Sequence, residues 1–230
     1  MFWFLMSCML NMEVSDKMTS VTIENNGFPS CNQKIGVGKE SSVQIGFTTE
    51  DGSIGWGSGN YMKLGKYKFV ITAAHVVDED NIFILDEDEV VPLKVLYRNV
   101  ARDIAIVIPD EELTISPRHL KINQSATLEG VKVNYTGYPS DIGKSIYTGI
   151  VSKSTENIVI VQGFALPGSS GSVVFDNKGR AVGIVSAVKL FQSPFSPFPE
   201  LVETLVYVER VNFIDKKFLK EVFMSAKKGR

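Results

Sequence analysis

At 230 residues the chain is long enough for one domain with two small cores or for two short domains, and its 44% hydrophobic content fits a globular protein. A net charge of −2 carries no nucleic-acid signature. The two cysteines, Cys8 and Cys31, sit near the start, which excludes a disulfide staple further along; their spacing suits no metal site, so no metal and no cofactor are expected.

In chain order, Met1 to Leu10 are apolar but shorter than the roughly 20 residues that span a bilayer. No basic residue precedes them and no small-x-small site follows closely, as a secretory signal would need; Leu5-Met6-Ser7-Cys8 has a faint likeness to a lipoprotein box. A working start at Met12 or Met18, with the preceding residues an upstream extension, stands level with the signal reading. Residues 1–35 are therefore read as an N-terminal extension, signal or disordered, and the compartment stays open between secreted or periplasmic and cytoplasmic or viral.

Residues 42–47 alternate apolar and polar with period two, Asp51-Gly52 is a hairpin signal, and Gly55-Trp56-Gly57-Ser58-Gly59 reads as a flexible approach to the next strand. Residues 67–74 read as a buried strand turning into a short helix. Strands at 82–85 and 90–96 flank an acidic turn at 86–89, and another follows Asp103 at 104–108. These form one barrel-sized set within 36–112. A linker at 113–126 leads to a second set within 127–211, with strands expected at 131–136, 145–153, 158–162, 172–175, 181–188 and 205–211. The expected fold is all-β: two six-stranded antiparallel barrels, whose closure removes exposed edges, with the active site between them. From 212 to 230 the period changes. Ile214, Phe218 and Val222 lie four apart with Leu219 and Phe223 alongside, which marks an amphipathic helix packed on a barrel. The basic tail it carries, from Lys216 to Arg230, reads as a solvated face rather than a membrane-bound one.

Chemistry is concentrated in three short motifs. They are Thr72-Ala73-Ala74-His75, Arg102-Asp103-Ile104-Ala105-Ile106-Val107 and Pro167-Gly168-Ser169-Ser170-Gly171-Ser172. A serine hydroxyl is a weak nucleophile unless a base takes its proton and a third group holds that base in one tautomer. Histidine, aspartate and serine occur here in one of the chain orders that this constellation uses. Of the two histidines, His119 has turn-forming and charged neighbours, whereas His75 ends an apolar strand. The nucleophile elbow of α/β-hydrolases fails on two counts: no histidine follows Ser170, and a strand pattern rather than a helix comes next.

These motifs resemble the trypsin-like (chymotrypsin-fold) peptidases, and within them the compact bacterial and viral branch that includes HtrA-type proteases and glutamyl endopeptidases. Gly137-Tyr138-Pro139, Gly149-Ile150-Val151-Ser152 and Gly179-Arg180-Ala181-Val182-Gly183 support the likeness, which covers residues 41–214. The resemblance implies a serine endopeptidase in which Ser170 is the nucleophile, His75 the general acid/base and Asp103 its orienting partner. It also implies an oxyanion hole from the backbone N–H groups of Gly168 and Ser170. Residues 186–188 would pair with the substrate backbone, the Ser186 hydroxyl would help to hold Asp103, and Phe164, Ala165, Leu166, Ser186, Ala187 and Val188 would wall the pocket. No carboxylate or histidine stands among those six, so a pocket for small or medium apolar side chains is expected. The loop from Phe191 to Pro199 would lie at its rim. One departure is visible: Ser172 stands where most trypsin-like enzymes have glycine. The implied partner is a protein or peptide substrate, with neither nucleic acid nor membrane. Two other classes compatible with the sequence are a catalytically silent binding protein of the same shape and a structural or assembly protein that cleaves only itself.

Overall fold

Val43 and Ile45, two apart on β1 (Ser42–Thr48), are buried in one core, and this placement makes the segment a strand. The computed structural model describes residues 36–49, 52–78, 81–86, 89–139, 142–192 and 199–228, with the side chains of 188–192, 199–204 and 228 left undescribed. The N-terminal extension with both cysteines, Asp51 of the expected hairpin, Glu87 and Asp88 of the acidic turn, and residues 193–198 of the expected rim loop lie outside the described residues, while Phe191, Gln192 and Pro199 of that loop are strand residues, Phe191 opposite Glu200 and Gln192 opposite Pro199. All described residues fall in one unit, Lys34–Arg230.

The first barrel is built from β1, β2 (Ile54–Leu64), β3 (Tyr67–Thr72), β4 (Phe83–Asp86), β5 (Glu89–Asn99) and β6 (Ile104–Pro109). These pair antiparallel in the order β1-β2-β3-β6-β5-β4, and β4 returns to β1 to close the sheet. The connection to the second barrel carries a two-residue strand, β7 (Arg118–His119), which adds in parallel to β2 at Met62 and Lys63. Leu113 and Leu120 on this connection are buried in the first core. The second barrel uses β8 (Lys132–Gly137), β9 (Ser145–Ser154), β10 (Ile158–Gln162), β11 (Val173–Asp176), β12 (Ala181–Gln192) and β13 (Pro199–Arg210). It closes as β8-β9-β10-β13-β12-β11, so the first-second-third-sixth-fifth-fourth order recurs.

The stretch read as a flexible approach is part of β2. Its glycines make room: a Cβ on Gly55 would stand 2.3 Å from the Phe47 ring, and one on Gly57 would stand 2.5 Å from Val76. The strand is flanked by side chains that occupy the volume its own lack.

Two clusters divide the interior. One fills the second barrel, with Val133, Tyr135, Val151, Val161, Val182 and Val208 among its members. The other fills the first barrel and also takes in Val173, Phe175, Ala181 and Ile184 from the second. β11 and β12 are thus apolar on both faces, and Val174 goes inward while Val173 and Phe175 go to the other barrel. The C-terminal helix, α1 (Lys216–Lys228), begins after a turn in which Ile214 N–H bonds to Val211 O at 3.0 Å. Asp215 caps it by accepting from Phe218 N–H at 2.7 Å. Phe218 meets Tyr97 edge-on at 5.0 Å and Phe223 meets Tyr67 at 4.7 Å, which seats the helix on the first barrel.

Candidate active site

His75 lies in a single 3-10 turn (Ala74–Val77) directly after β3. Ala74 and Val76 are buried on either side of it, while half of the His75 side chain remains accessible at 50%. Arg98 braces this turn by donating to Ala74 O at 3.2 Å while pairing with Asp78. Asp103 sits on the tight turn between β5 and β6 at φ +45°, a left-handed conformation that aspartate tolerates better than most residues. The turn is fixed by Asp103 N–H to Val100 O at 3.2 Å and Arg102 N–H to Asn99 Oδ1 at 3.0 Å.

The Asp103 carboxylate is held from several directions. His75 Nδ1 lies 2.9 Å from both of its oxygens, and His75 backbone N–H donates to Oδ1 at 3.0 Å. A carboxylate only accepts, so the proton of this contact belongs on Nδ1. Ser186 Oγ donates to Oδ2 at 2.5 Å, the contact expected from the resemblance. Burial pushes the Asp103 carboxyl up, but the bonds from His75 and Ser186 outweigh it and hold the group below its ordinary value. Ser186 reaches Asp103 because the β12–β13 register shifts between Val185 and Ala187, leaving Ser186 as the extra residue of a bulge.

Ser170 is half-buried on the loop before β11. Its carbonyl accepts from Ser58 N–H at 2.8 Å, and Gly171 N–H donates to Val185 O at 2.7 Å. Gly171 packs onto the residues just ahead of the histidine turn. At its φ of +90° an added Cβ would lie 2.2 Å from Thr72 Oγ1 and 3.0 Å from Ala73 N, so only glycine fits. This contact brings the serine loop to the His75 turn. Gly168 takes φ +91°. Among the described residues, neither the Gly168 nor the Ser170 N–H donates a hydrogen bond. Ser172 is fully buried, and its hydroxyl fills the space beside Gly137, where a Cβ would come within 2.5 Å of it. The departure from glycine at 172 is thus matched by glycine at 137.

Ser58 joins these parts and escaped the sequence reading. Its Oγ donates to Gly168 O at 2.6 Å and accepts from Tyr138 N–H at 2.8 Å, while its carbonyl accepts from Thr72 Oγ1 at 2.7 Å. Nothing in the run Gly57-Ser58-Gly59 signals such a role.

Of the residues expected to wall the pocket, Phe164 is 42% exposed, with its ring 6.3 Å from Tyr147, and Leu166 is half-buried. Ala165 is 1% exposed and belongs to the second core rather than the surface. Ser186 is half-buried and Ala187 exposed; Val188 pairs through its backbone with Val206. The stacked Tyr135 and Tyr147 rings, 5.1 Å apart, back Phe164, and Tyr135 OH donates to Phe164 O. Among the described residues no group of three or more His, Cys, Asp or Glu side chains could hold a metal, and no helix is long and apolar enough to cross a membrane.

A family model described as a trypsin-like peptidase domain matches residues 57–184. No curated protein sequence matches significantly. Among solved structures, the chain is similar to the active form of the Rv3671c protease from M. tuberculosis, at 16% identity and TM-score 0.64, covering 87% of this chain and 90% of that one. It is similar to a serine endoprotease from Yersinia pestis at 17% identity and TM-score 0.63, over 86% of this chain and 69% of that one. The HtrA-type protease AlgW with tripeptide gives 17% identity and TM-score 0.61, over 76% and 57%.

Proposed function

The chain belongs to the trypsin-like peptidase family, the serine endopeptidases, and from that premise we propose that it cleaves peptide bonds through an acyl-enzyme with His75, Asp103 and Ser170 as its triad. In this reading the first barrel, 36–112, brings the acid/base pair, the second, 127–211, brings the nucleophile, and 113–126 connects them. Ser170 Oγ attacks the scissile carbonyl carbon as His75 Nε2 takes its proton. The carbonyl electron pair moves onto oxygen, where the free N–H groups of Gly168 and Ser170 receive it, a contribution of about 3 kcal/mol per donor. Collapse breaks the C–N bond, and His75 hands the proton to the departing amine. Water then repeats the sequence and releases the acid, returning the proton to Ser170. Asp103 keeps His75 in the tautomer that accepts at Nε2 and stabilises the imidazolium.

One observation carries this reading: the Asp103 carboxylate is bound at once by the His75 ring, the His75 N–H and the Ser186 hydroxyl. Such a cage serves no evident packing purpose on a half-exposed histidine. The substrate is a protein or peptide presenting a small or medium apolar side chain before the cut, since Phe164, Leu166 and Ala187 offer no counter-ion to a basic one. A fluorophosphonate probe followed by peptide mapping tests the assignment. Adduct on Ser170 supports it; a folded protein that takes up no probe is the silent binding protein instead.

A further inference from the structure

The two N–H groups that face the scissile oxygen in the proposed mechanism belong to alternate peptide units, 167–168 and 169–170. The units that follow each of them, 168–169 and 170–171, are both fastened to one residue of the other barrel. Ser58 Oγ donates to Gly168 O at 2.6 Å, and Ser58 N–H donates to Ser170 O at 2.8 Å. Ser58 is fully buried on β2 between Gly57 and Gly59, and Gly171 at φ +90° comes so near that a Cβ there would stand 2.1 Å from Ser58 O. Its other bonds run to the acid/base side and to the second barrel. Ser58 O accepts from Thr72 Oγ1 at 2.7 Å, three residues before His75, and Ser58 Oγ accepts from Tyr138 N–H at 2.8 Å.

We propose that Ser58 is a positioning residue for the oxyanion hole, holding the N–H groups of Gly168 and Ser170 in register with His75. The proposal rests on Ser170 as nucleophile and adds to it a residue of the opposite barrel that acts through the serine loop. Gly168 is where the hold matters. A glycine at φ +91° has no side chain to lock it, and Pro167 before it has no N–H with which to fasten the loop. Without the Ser58 hydroxyl, the part-buried Gly168 carbonyl and the Tyr138 N–H both lose their partner. A carbonyl left in that position turns towards another donor and carries the Gly168 backbone with it. The bond from Ser58 N–H to Ser170 O survives, so the nucleophile keeps its place while the hole loosens. Charge fills the hole only in the transition state, and the loss therefore falls on kcat and spares ground-state binding.

Ser58→Ala tests this. Its kcat should fall about thirtyfold, between the roughly fivefold of one net hydrogen bond and the roughly hundredfold or more of a lost oxyanion donor, with KM within about twofold. A peptide trifluoromethyl ketone with an apolar residue at its reactive end reads the hole directly: Ser170 Oγ bonds to the ketone carbon, the carbonyl pair moves onto oxygen as an oxyanion, and the Ser170 proton passes to His75. Its Ki should rise by about the factor by which kcat/KM falls. The affinity of a cleavable peptide for Ser170→Ala, followed by fluorescence anisotropy, should not change when Ser58→Ala is added. Ser58→Cys, close in size and a weaker donor, should fall between wild type and Ser58→Ala, and it carries the test if Ser58→Ala does not fold. A lowered Tm with kcat and Ki at wild-type values makes Ser58 a tie between the barrels and overturns the proposal, as does a loss that lies in KM alone. Fluorophosphonate labelling of wild-type Ser170 reports separately on the nucleophile: adduct there, with Ser58 variants of unaltered kcat, defeats this inference and leaves the assignment of Ser170 standing.

Discussion

Asp103 is bonded by residues from two barrels: His75 follows β3 of the first, and Ser186 sits on β12 of the second. In the proposed mechanism, removing His75 or Ser170 leaves the fold standing and removes catalysis. Ser170→Ala and His75→Ala are each expected to lower kcat on the order of a million-fold, with no further loss in the double variant, because the members act as a unit. Asp103→Asn should cost about ten-thousand-fold by releasing the wrong tautomer. Steady-state kinetics with circular dichroism on the same samples check both, and near-normal turnover by Ser170→Ala would end the assignment. Ser186→Ala keeps all three and loses one charge-assisted bond. It should reduce kcat about tenfold with little change in KM, and an equal rise in KM would make Ser186 a substrate contact instead. The three residues proposed as a triad could be singled out in the sequence because each stands in a contiguous motif. Ser58 and Arg98 were not, since what they hold lies far along the chain: Gly168 for one, Ala74 for the other.

At the scale of elements, a single acidic side chain joins the entry to β8 with the end of β9. Glu129 accepts from Ser154 N–H at 2.7 Å, Ser154 Oγ at 2.8 Å and Leu128 N–H at 3.1 Å. The backbone N–H of Glu129 itself and these bonds hold its carboxyl down at about 2, from an ordinary 4.5. A depressed carboxylate contributes stability that is fully present above its unfolded value and is lost as pH falls through its folded value. The Tm difference between wild type and Glu129→Gln should accordingly be constant above about pH 5 and shrink towards pH 2. A difference that persists unchanged at pH 2 would assign the effect to packing. The helix supplies a second element-level expectation. Leu219, fully buried between α1 and the first barrel, should cost ~3 kcal/mol on truncation to alanine, read from urea unfolding, with kcat unmoved. Most strands were readable from period two, and the helix from its change of period. β2 was not, because Gly55, Gly57 and Gly59 look like a loop until the bulky neighbours Phe47, Val76 and Val70 are known. β7, two residues long and paired in parallel, left no periodic trace.

Across the whole molecule, the two barrels repeat one strand order but do not keep separate interiors. Val173, Phe175, Ala181 and Ile184 leave the second barrel to complete the first core. Arg102, next to Asp103, reaches the other way: it donates to Arg210 O at 2.7 Å, lies 4.7 Å over the Phe213 ring and faces Glu209 at 3.9 Å. Burial raises the Glu209 carboxyl, Arg102 works against that rise and Asp103 adds to it, so the turn carrying Asp103 is electrostatically tied to β13. The candidate site, assembled across such a seam, keeps its geometry only while both barrels are folded, and the shared apolar seam makes their folding interdependent. Calorimetry should therefore show one transition, with calorimetric and van't Hoff enthalpies equal. Phe175→Ala, which empties a fully buried site in the seam, should lower that single transition, by ~3–5 kcal/mol, rather than split it. Two resolved transitions in the wild type, or a variant in which the second barrel melts first while the first keeps its Tm, would show that each barrel folds alone and that the seam serves only to hold the serine loop against the histidine turn.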